Sequence, residues 1–324
     1  MIIKSEVPNA DLKTNAGFQS FVAHVRNVLT TVNPGILTRT SDTGQIDPTT
    51  VATPLTASSP ATFKSGGYDI YRFNDSVKNV YFKLTYGAFG VTGSATSKME
   101  FGLYVELGHS SDGAGNLQNI FFRSFLRKGT LNTTPSTQNA ERGVHYTYCC
   151  VKDGYLSFHF DVGSKIISGN NFPNDALTTE SHSLIFSRQE NSSTFLFAVN
   201  STPISGETSV GTQSLTERYR DFHLFVVDFE NGKYWQYVNQ LAGWSSAIPG
   251  TTGVVGSNIG VKRVEVHSNR AVYKDKNLLL YWAQDFGYEQ QETLSIDGVN
   301  STFLFLTPAI RATYPQMNIA FRWE

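Results

Sequence analysis

The chain has 324 residues, a mass of 35.9 kDa, a formal net charge of -1 and 16% charged residues, against about 25% in an ordinary soluble domain. A near-neutral chain without a basic stripe cannot neutralise a phosphate backbone, which excludes nucleic-acid binding by that route, and no run approaches the roughly 18 apolar residues of a membrane-spanning helix. The length is sufficient for a large core and is read as two regions, 1–128 with an N-terminal helix and a β-meander, and 129–324 as a second β-rich, sandwich-like region.

The opening MIIKSEVPNADLKT has neither a long apolar core nor a small-residue cleavage site. The expectation is therefore synthesis and folding in a cytoplasm, without export. In residues 15–32, Phe18, Phe21, Val22, Val25, Val28, Leu29 and Val32 recur at helical spacing. This predicts one amphipathic helix, capped by Thr14 or Asn15 and stopped by Asn33-Pro34-Gly35. A single helix in a β-rich chain covers a sheet, here the meander over residues 68–107 as the nearest in sequence, and the alternative is docking into a partner groove.

Residues 49–62 contain no charge and two prolines, Pro54 and Pro60, with no helical or strand period. Two roles stay open for this stretch: a loop covering its own domain, or an extended arm whose Val51, Pro54, Leu55 and Pro60 lie on a neighbouring subunit. Residues 68–73, 80–86 and 101–107 then read as three antiparallel strands. Val80, Phe82, Leu84 and Tyr86 share one face of the second, and Phe101, Leu103, Val105 and Leu107 one face of the third. The run Asp112-Gly113-Ala114-Gly115-Asn116 is a turn and lacks the alternating carboxylates and terminal Glu of a calcium loop.

Further strands are predicted over 119–126, 144–151, 156–162, 183–189, 194–199, 222–229, 234–238, 259–266, 278–282, 293–296, 303–306 and 319–323. The fold class is mainly β, with antiparallel sandwich-like or barrel-like sheets and one N-terminal amphipathic helix. Cys149 and Cys150 are the only cysteines. As neighbours on a strand they point to opposite faces and form no bridge.

The seven histidines are scattered without metal-ligand spacing, and His159 and His223 sit inside alternating strands. No phosphate loop and no nucleophile elbow is present. Acid pairs such as Glu265 with Asp285, or Asp228 with Glu230, receive no role, because glycoside cleavage depends on a separation that spacing alone does not define. The expectation is no enzyme, no cofactor and no metal. The Asn-x-Ser/Thr matches at Asn132, Asn191, Asn200 and Asn300 are chance in an Asn- and Ser/Thr-rich chain. Tyr234, Trp235, Tyr237 and Trp244 cluster after the strand at 222–229, on both parities, and divide among core, subunit interface and glycan contact.

Four segments taken together, Asp42-Thr43-Gly44-Gln45-Ile46-Asp47, Gly67 to Asp75 (GYDIYRFND), Phe82 to Gly87 (FKLTYG), and Leu103 to Gly108 with the Asp112 to Leu117 turn, resemble a group of tailed-bacteriophage virion structural proteins. The helix before them matches the same order, and the resemblance covers about the first 120 residues. It departs at Tyr71, where the group has an indole, and in a more acidic third strand. The resemblance implies a non-enzymatic particle component of the neck, tail or baseplate, made in the host bacterial cytoplasm and located in the virion. Its implied partners are other phage structural proteins and copies of itself, as a homo-oligomer. The alternatives are a receptor- or glycan-binding domain of the tail apparatus that contacts a host surface glycan, and a polysaccharide-cleaving tail protein.

Overall fold

The computed structural model describes residues 2–7, 14–54, 63–90, 99–127, 145–162, 181–189, 192–201, 221–238, 271–274, 278–282, 288–296, 299–306 and 317–323. The first part of the chain contains β1 (Ile2–Val7), α1 (Asn15–Thr31), β2 (Leu37–Arg39), β3 (Phe63–Phe73), β4 (Val80–Gly90), β5 (Met99–Gly108), β6 (Ser110–Ser111), β7 (Leu117–Gln118) and β8 (Phe122–Arg127). There follow β9 (His145–Lys152), β10 (Tyr155–Val162), β11 (Ser181–Arg188), β12 (Thr194–Ser201), β13 (Asp221–Asp228) and β14 (Lys233–Val238). The last group is β15 (Ala271–Lys274), β16 (Leu278–Trp282), β17 (Tyr288–Ile296), β18 (Val299–Leu306) and β19 (Met317–Arg322). The protein is mainly β, its paired strands are antiparallel, and its one described helix is N-terminal. No helix among the described residues is long and apolar enough to cross a membrane.

Two large sheets face each other. The meander sheet has the order β2-β3-β4-β5-β8, and the larger sheet has seven strands in the order β1-β9-β10-β11-β12-β13-β14. In β4 the side chains of Val80, Phe82, Leu84 and Tyr86 are all buried, and in β5 so are those of Leu103, Val105 and Leu107, the alternation expected of half-buried strands. From the larger sheet Cys149, Val151, Phe158, Phe186, Phe197 and Phe225 point back at them. Rings interlock across the gap: Phe73 meets Phe186 at 6.0 Å, Phe82 meets Phe186 at 5.7 Å, and Phe122 stacks on Phe225 at 4.9 Å. Each such pair adds about 0.5–1.5 kcal/mol beyond its area burial. Buried residues from both sides of residue 128 thus form one hydrophobic cluster, so the expected division at 128/129 does not separate two cores.

Helix α1 begins where Thr14 Oγ1 accepts the Gly17 N–H at 3.0 Å, which settles the cap in favour of Thr14. Asn15 instead accepts the backbone N–H of Thr53. Phe18, Phe21, Val22, Val25, Val28 and Leu29 are buried as the helical period requires. The stripe does not rest on the meander alone. Phe21 packs edge-on to Tyr86 of β4 at 6.3 Å, while His24 bonds Thr147 of β9 at 2.9 Å and Asn33, just beyond the helix, donates to the Val151 carbonyl at 3.2 Å. The helix therefore bridges both sheets.

Several elements differ from expectation. Strand β1 pairs with β9 from Ile2 opposite Cys150 to Val7 opposite His145, although too few residues alternate there to announce a strand. The strand expected at 119–126 starts only at Phe122, because Asn119 takes a positive φ of 49° and turns the chain. The strand expected at 259–266 lies outside the described residues. A third sheet, of order β15-β16-β19-β18-β17, is built from the C-terminal residues alone.

Candidate functional site

The four resemblance segments lie side by side along β3, β4 and β5 and in the 42–47 loop and 112–117 turn that flank them. After β2 the chain runs alongside β3 without strand pairing, and Gln45 substitutes for it. Its Oε1 accepts the Ile70 N–H at 2.8 Å, while its Nε2 donates to the Thr40 carbonyl at 2.7 Å and the Asp42 carbonyl at 3.2 Å. The Ile46 N–H closes the loop on the Tyr68 carbonyl at 2.8 Å. One glutamine thus satisfies backbone groups on both sides of a gap that a strand would have filled.

Asp42 reaches from this loop to the 112–116 turn, accepting from the Ser111 hydroxyl and, at 3.3 Å, from the Gly115 N–H. Burial opposes its ionisation, but hydrogen bonds from Ser111, Thr40 and Gly115 outweigh that and hold its carboxyl below the usual range. Asp112 folds the turn on itself, accepting from the Ala114 N–H at 2.7 Å, the Asn116 N–H at 3.0 Å and the Asn116 side-chain amide at 2.9 Å. Tyr68 lies over the turn and donates to the Thr43 carbonyl at 2.8 Å. Lys83 sits 4.0 Å from the centre of the Tyr68 ring and donates to the Gly115 carbonyl at 2.8 Å.

Deeper in, Asp69 is fully buried on the face of β3 that also carries Tyr71 and Phe73. It accepts from Arg26 of α1 through Nε at 3.0 Å and Nη2 at 2.7 Å, and from Arg39 of β2 through Nε at 2.7 Å. The hydroxyls of Tyr71 and Tyr86 donate to it at 3.3 and 3.1 Å. Burial first, followed by the Asp69 charge at Tyr71 and by Tyr71 and then Asp69 at Tyr86, pushes both phenols well above their ordinary range, so they remain donors. Arg26 also donates to the Ile46 carbonyl. Helix, β2, β3 and the 42–47 loop are thereby joined through one carboxylate.

The last residues of the GYDIYRFND segment cross to the other sheet. Asn74 bonds the Ile36 carbonyl through its N–H and Thr38 through its side chain. Asp75 accepts from the Val77 and Lys78 N–H groups at 2.9 and 3.1 Å, from Gly154 at the β9–β10 turn at 2.7 Å, and from Arg188 of β11 at 3.0 Å. Arg188 in turn donates to Asp153 at 2.8 Å, and Ser76 caps Asp153 through both its N–H and its hydroxyl. Burial opposes ionisation of Asp153, but Ser76 and Arg188 overcome it and lower its titration.

Each of these carboxylates is spent on backbone N–H groups, hydroxyls and guanidinium groups that hold elements together. Among the described residues no group of three or more His, Cys, Asp or Glu side chains is placed to hold a metal ion. Asp228 caps the β13–β14 turn through the Glu230 and Asn231 N–H groups at 3.0 and 3.1 Å. Glu265 and Asp285 lie outside the described residues. His159 is buried on β10 with Nδ1 2.7 Å from the Ser183 hydroxyl.

The interface candidates fall in two separate places. Val51 packs half-buried against the core and Pro54 is buried, and the stretch between them is tied to α1 by Gln19 donating to the Val51 carbonyl at 2.9 Å. Tyr234, Trp235 and Tyr237 lie on β14, the edge of the larger sheet opposite β1. Leu55, Pro60 and Trp244 lie outside the described residues. Neither the Asp69 centre nor the Asp75 clasp was anticipated from sequence. A signal existed for the first: Asp69 shares the apolar parity of Tyr71 and Phe73, and an acid there needs a buried partner. Comparison with protein-family models, curated proteins and solved structures gives no match.

Proposed function

We propose that the chain is a non-enzymatic structural component of a tailed-bacteriophage particle, in the neck, tail or baseplate region, acting through association with copies of itself and with other particle proteins. One observation carries this reading. The segments that resemble virion structural proteins lie side by side in the fold and supply its tie points, with Asp42, Gln45, Tyr68, Asp69 and Asp75 each joining sequence-distant elements. Residues used in this way make a rigid building block and present no reacting atom. The low charge content suits subunit contacts better than a freely diffusing exterior.

The test is particle composition. Purified particles from the phage that encodes the chain should contain it in a fixed multiple copy number by mass spectrometry, and an image reconstruction should trace its facing sheets at the neck, tail or baseplate. Its absence from purified particles, or normal particles after deletion of its coding region, overturns the reading. Release of reducing ends from host polysaccharide would point to a cleaving tail protein, and retention on immobilised oligosaccharide to a glycan-binding one.

A further inference from the structure

The central strands of the larger sheet are buried on both faces, and the two faces differ in kind. Towards the meander sheet its central strands present Phe158, Phe186, Phe197 and Phe225, all in the main core cluster. On the opposite face the same strands present Ser157, His159, Ser183 and Ser187 beside Ile185, Leu196, Ala198 and Val226, all buried. A face that mixes hydroxyls and an imidazole with smaller aliphatic groups returns less apolar transfer free energy than a face of phenylalanines, and each buried polar group has to recover its own desolvation.

The C-terminal sheet meets this second face through β19. The Tyr155 hydroxyl donates to the Arg322 carbonyl at 3.2 Å, Cys150 Sγ lies 3.9 Å from the Trp323 carbonyl, and the rings of Tyr148 and Trp323 are 6.0 Å apart, edge to face. Among the described residues no strand of the C-terminal sheet pairs with a strand of either other sheet. In sequence it follows β14 after residues 239–270. An element with its own closed set of backbone pairs, seated on the more polar of two buried sheet faces, is the part of a structure that opens first.

We infer that the C-terminal sheet is a separable cap: β15 to β19 lift off the larger sheet as a unit, reversibly exposing the Tyr148, Cys150 and Tyr155 face, while the two-sheet core and α1 stay folded. This conformational device is independent of the particle assignment. It also accounts for the buried hydroxyls on that face, since a face that is periodically wetted gains from side chains that water can solvate.

The chain carries its own pair of reporters. Cys149 and Cys150 are adjacent and both fully buried, but Cys149 belongs to the main core and Cys150 lies under Trp323. Alkylation of the intact protein with N-ethylmaleimide, resolved by fragment-ion mass spectrometry and normalised to each sulfur's rate in the urea-unfolded chain, reads the two interfaces separately. Cys150 should react at least about ten-fold faster than Cys149, with little urea dependence below the main unfolding transition. Trp323→Ala should accelerate Cys150 and leave Cys149 unchanged. Independently, amides of β16, β18 and β19 should exchange hydrogen as a set before those of β10 to β12. Equal normalised rates at the two sulfurs, or reaction of Cys150 only in the main unfolding transition, overturns the inference, as does exchange of both groups of strands together.

Discussion

Arg26 and Asp69 form a two-pronged ion pair between helix and sheet, with Nε to Oδ2 at 3.0 Å and Nη2 to Oδ1 at 2.7 Å around a carboxylate that is fully buried. The helix stripe supplies the apolar contact, and this pair supplies the rotational setting. A cylinder of valines and phenylalanines could turn on the sheets at modest cost. A bidentate guanidinium cannot.

Removing the carboxylate should therefore be costly. Asp69→Ala leaves Arg26 and Arg39 with their buried partner gone and the Tyr71 and Tyr86 hydroxyls without their acceptor, a loss of about 3–5 kcal/mol from a total of about 5–15 kcal/mol. Urea unfolding of the variant against the parent measures it. A loss below about 1 kcal/mol would show that the network contributes little beyond solvation.

His24 makes stability depend on pH. Burial lowers its pKa to about 4 in the folded protein, against 6.5 when exposed. Between those values the unfolded chain binds more protons, so stability rises with pH, is fully present above about 6.5 and is lost as pH falls towards 4. The difference corresponds to roughly 3 kcal/mol. Urea midpoints of the parent should fall between pH 7 and pH 4.5 by more than those of His24→Gln. Parallel profiles for the two proteins would contradict the assignment to His24.

The 112–116 turn offers a matched pair of glycines. Gly115 has φ 97° and its Cβ position is occupied by the Tyr68 hydroxyl, whereas Gly113 has φ 78° with nothing within 4 Å. Gly113→Ala should cost only the left-handed strain, about 1 kcal/mol. Gly115→Ala should cost that and also expel Tyr68 from Thr43, for a total of about 2–3 kcal/mol. Thermal unfolding of both variants checks the order, and equal losses would mean that Tyr68 moves aside without penalty.

The uncharged stretch after Asp47 can be tested by deletion. Because Val51 and Pro54 pack inward and Gln19 and Asn15 hold the backbone between them, removing residues 49–59 should lower the melting temperature of the isolated protein, by about 2–4 °C for each kcal/mol lost. An unchanged melting curve with failure to join particles would instead assign the stretch to a neighbouring subunit.

The elements legible in the sequence are those whose signal is local. A period of two placed Val80, Phe82, Leu84 and Tyr86 on one buried face of β4, and a period of about 3.6 placed Phe18, Val22, Val25 and Leu29 on one face of α1, because pleat and helix geometry fix which neighbours share a side. Even the opposite orientation of Cys149 and Cys150 followed from that rule. What the carboxylates do was decided only by the tertiary structure. Asp69 finds Arg26 and Arg39, and Asp75 finds Gly154 and Arg188, only once sheets and helix have closed. An acid in a strand carries no mark of its partner, since the partner lies far along the chain and hydrogen bonding is satisfied in space and not in sequence. The same holds for α1: its stripe announced that it would be covered, but two facing sheets were needed to determine that both would cover it.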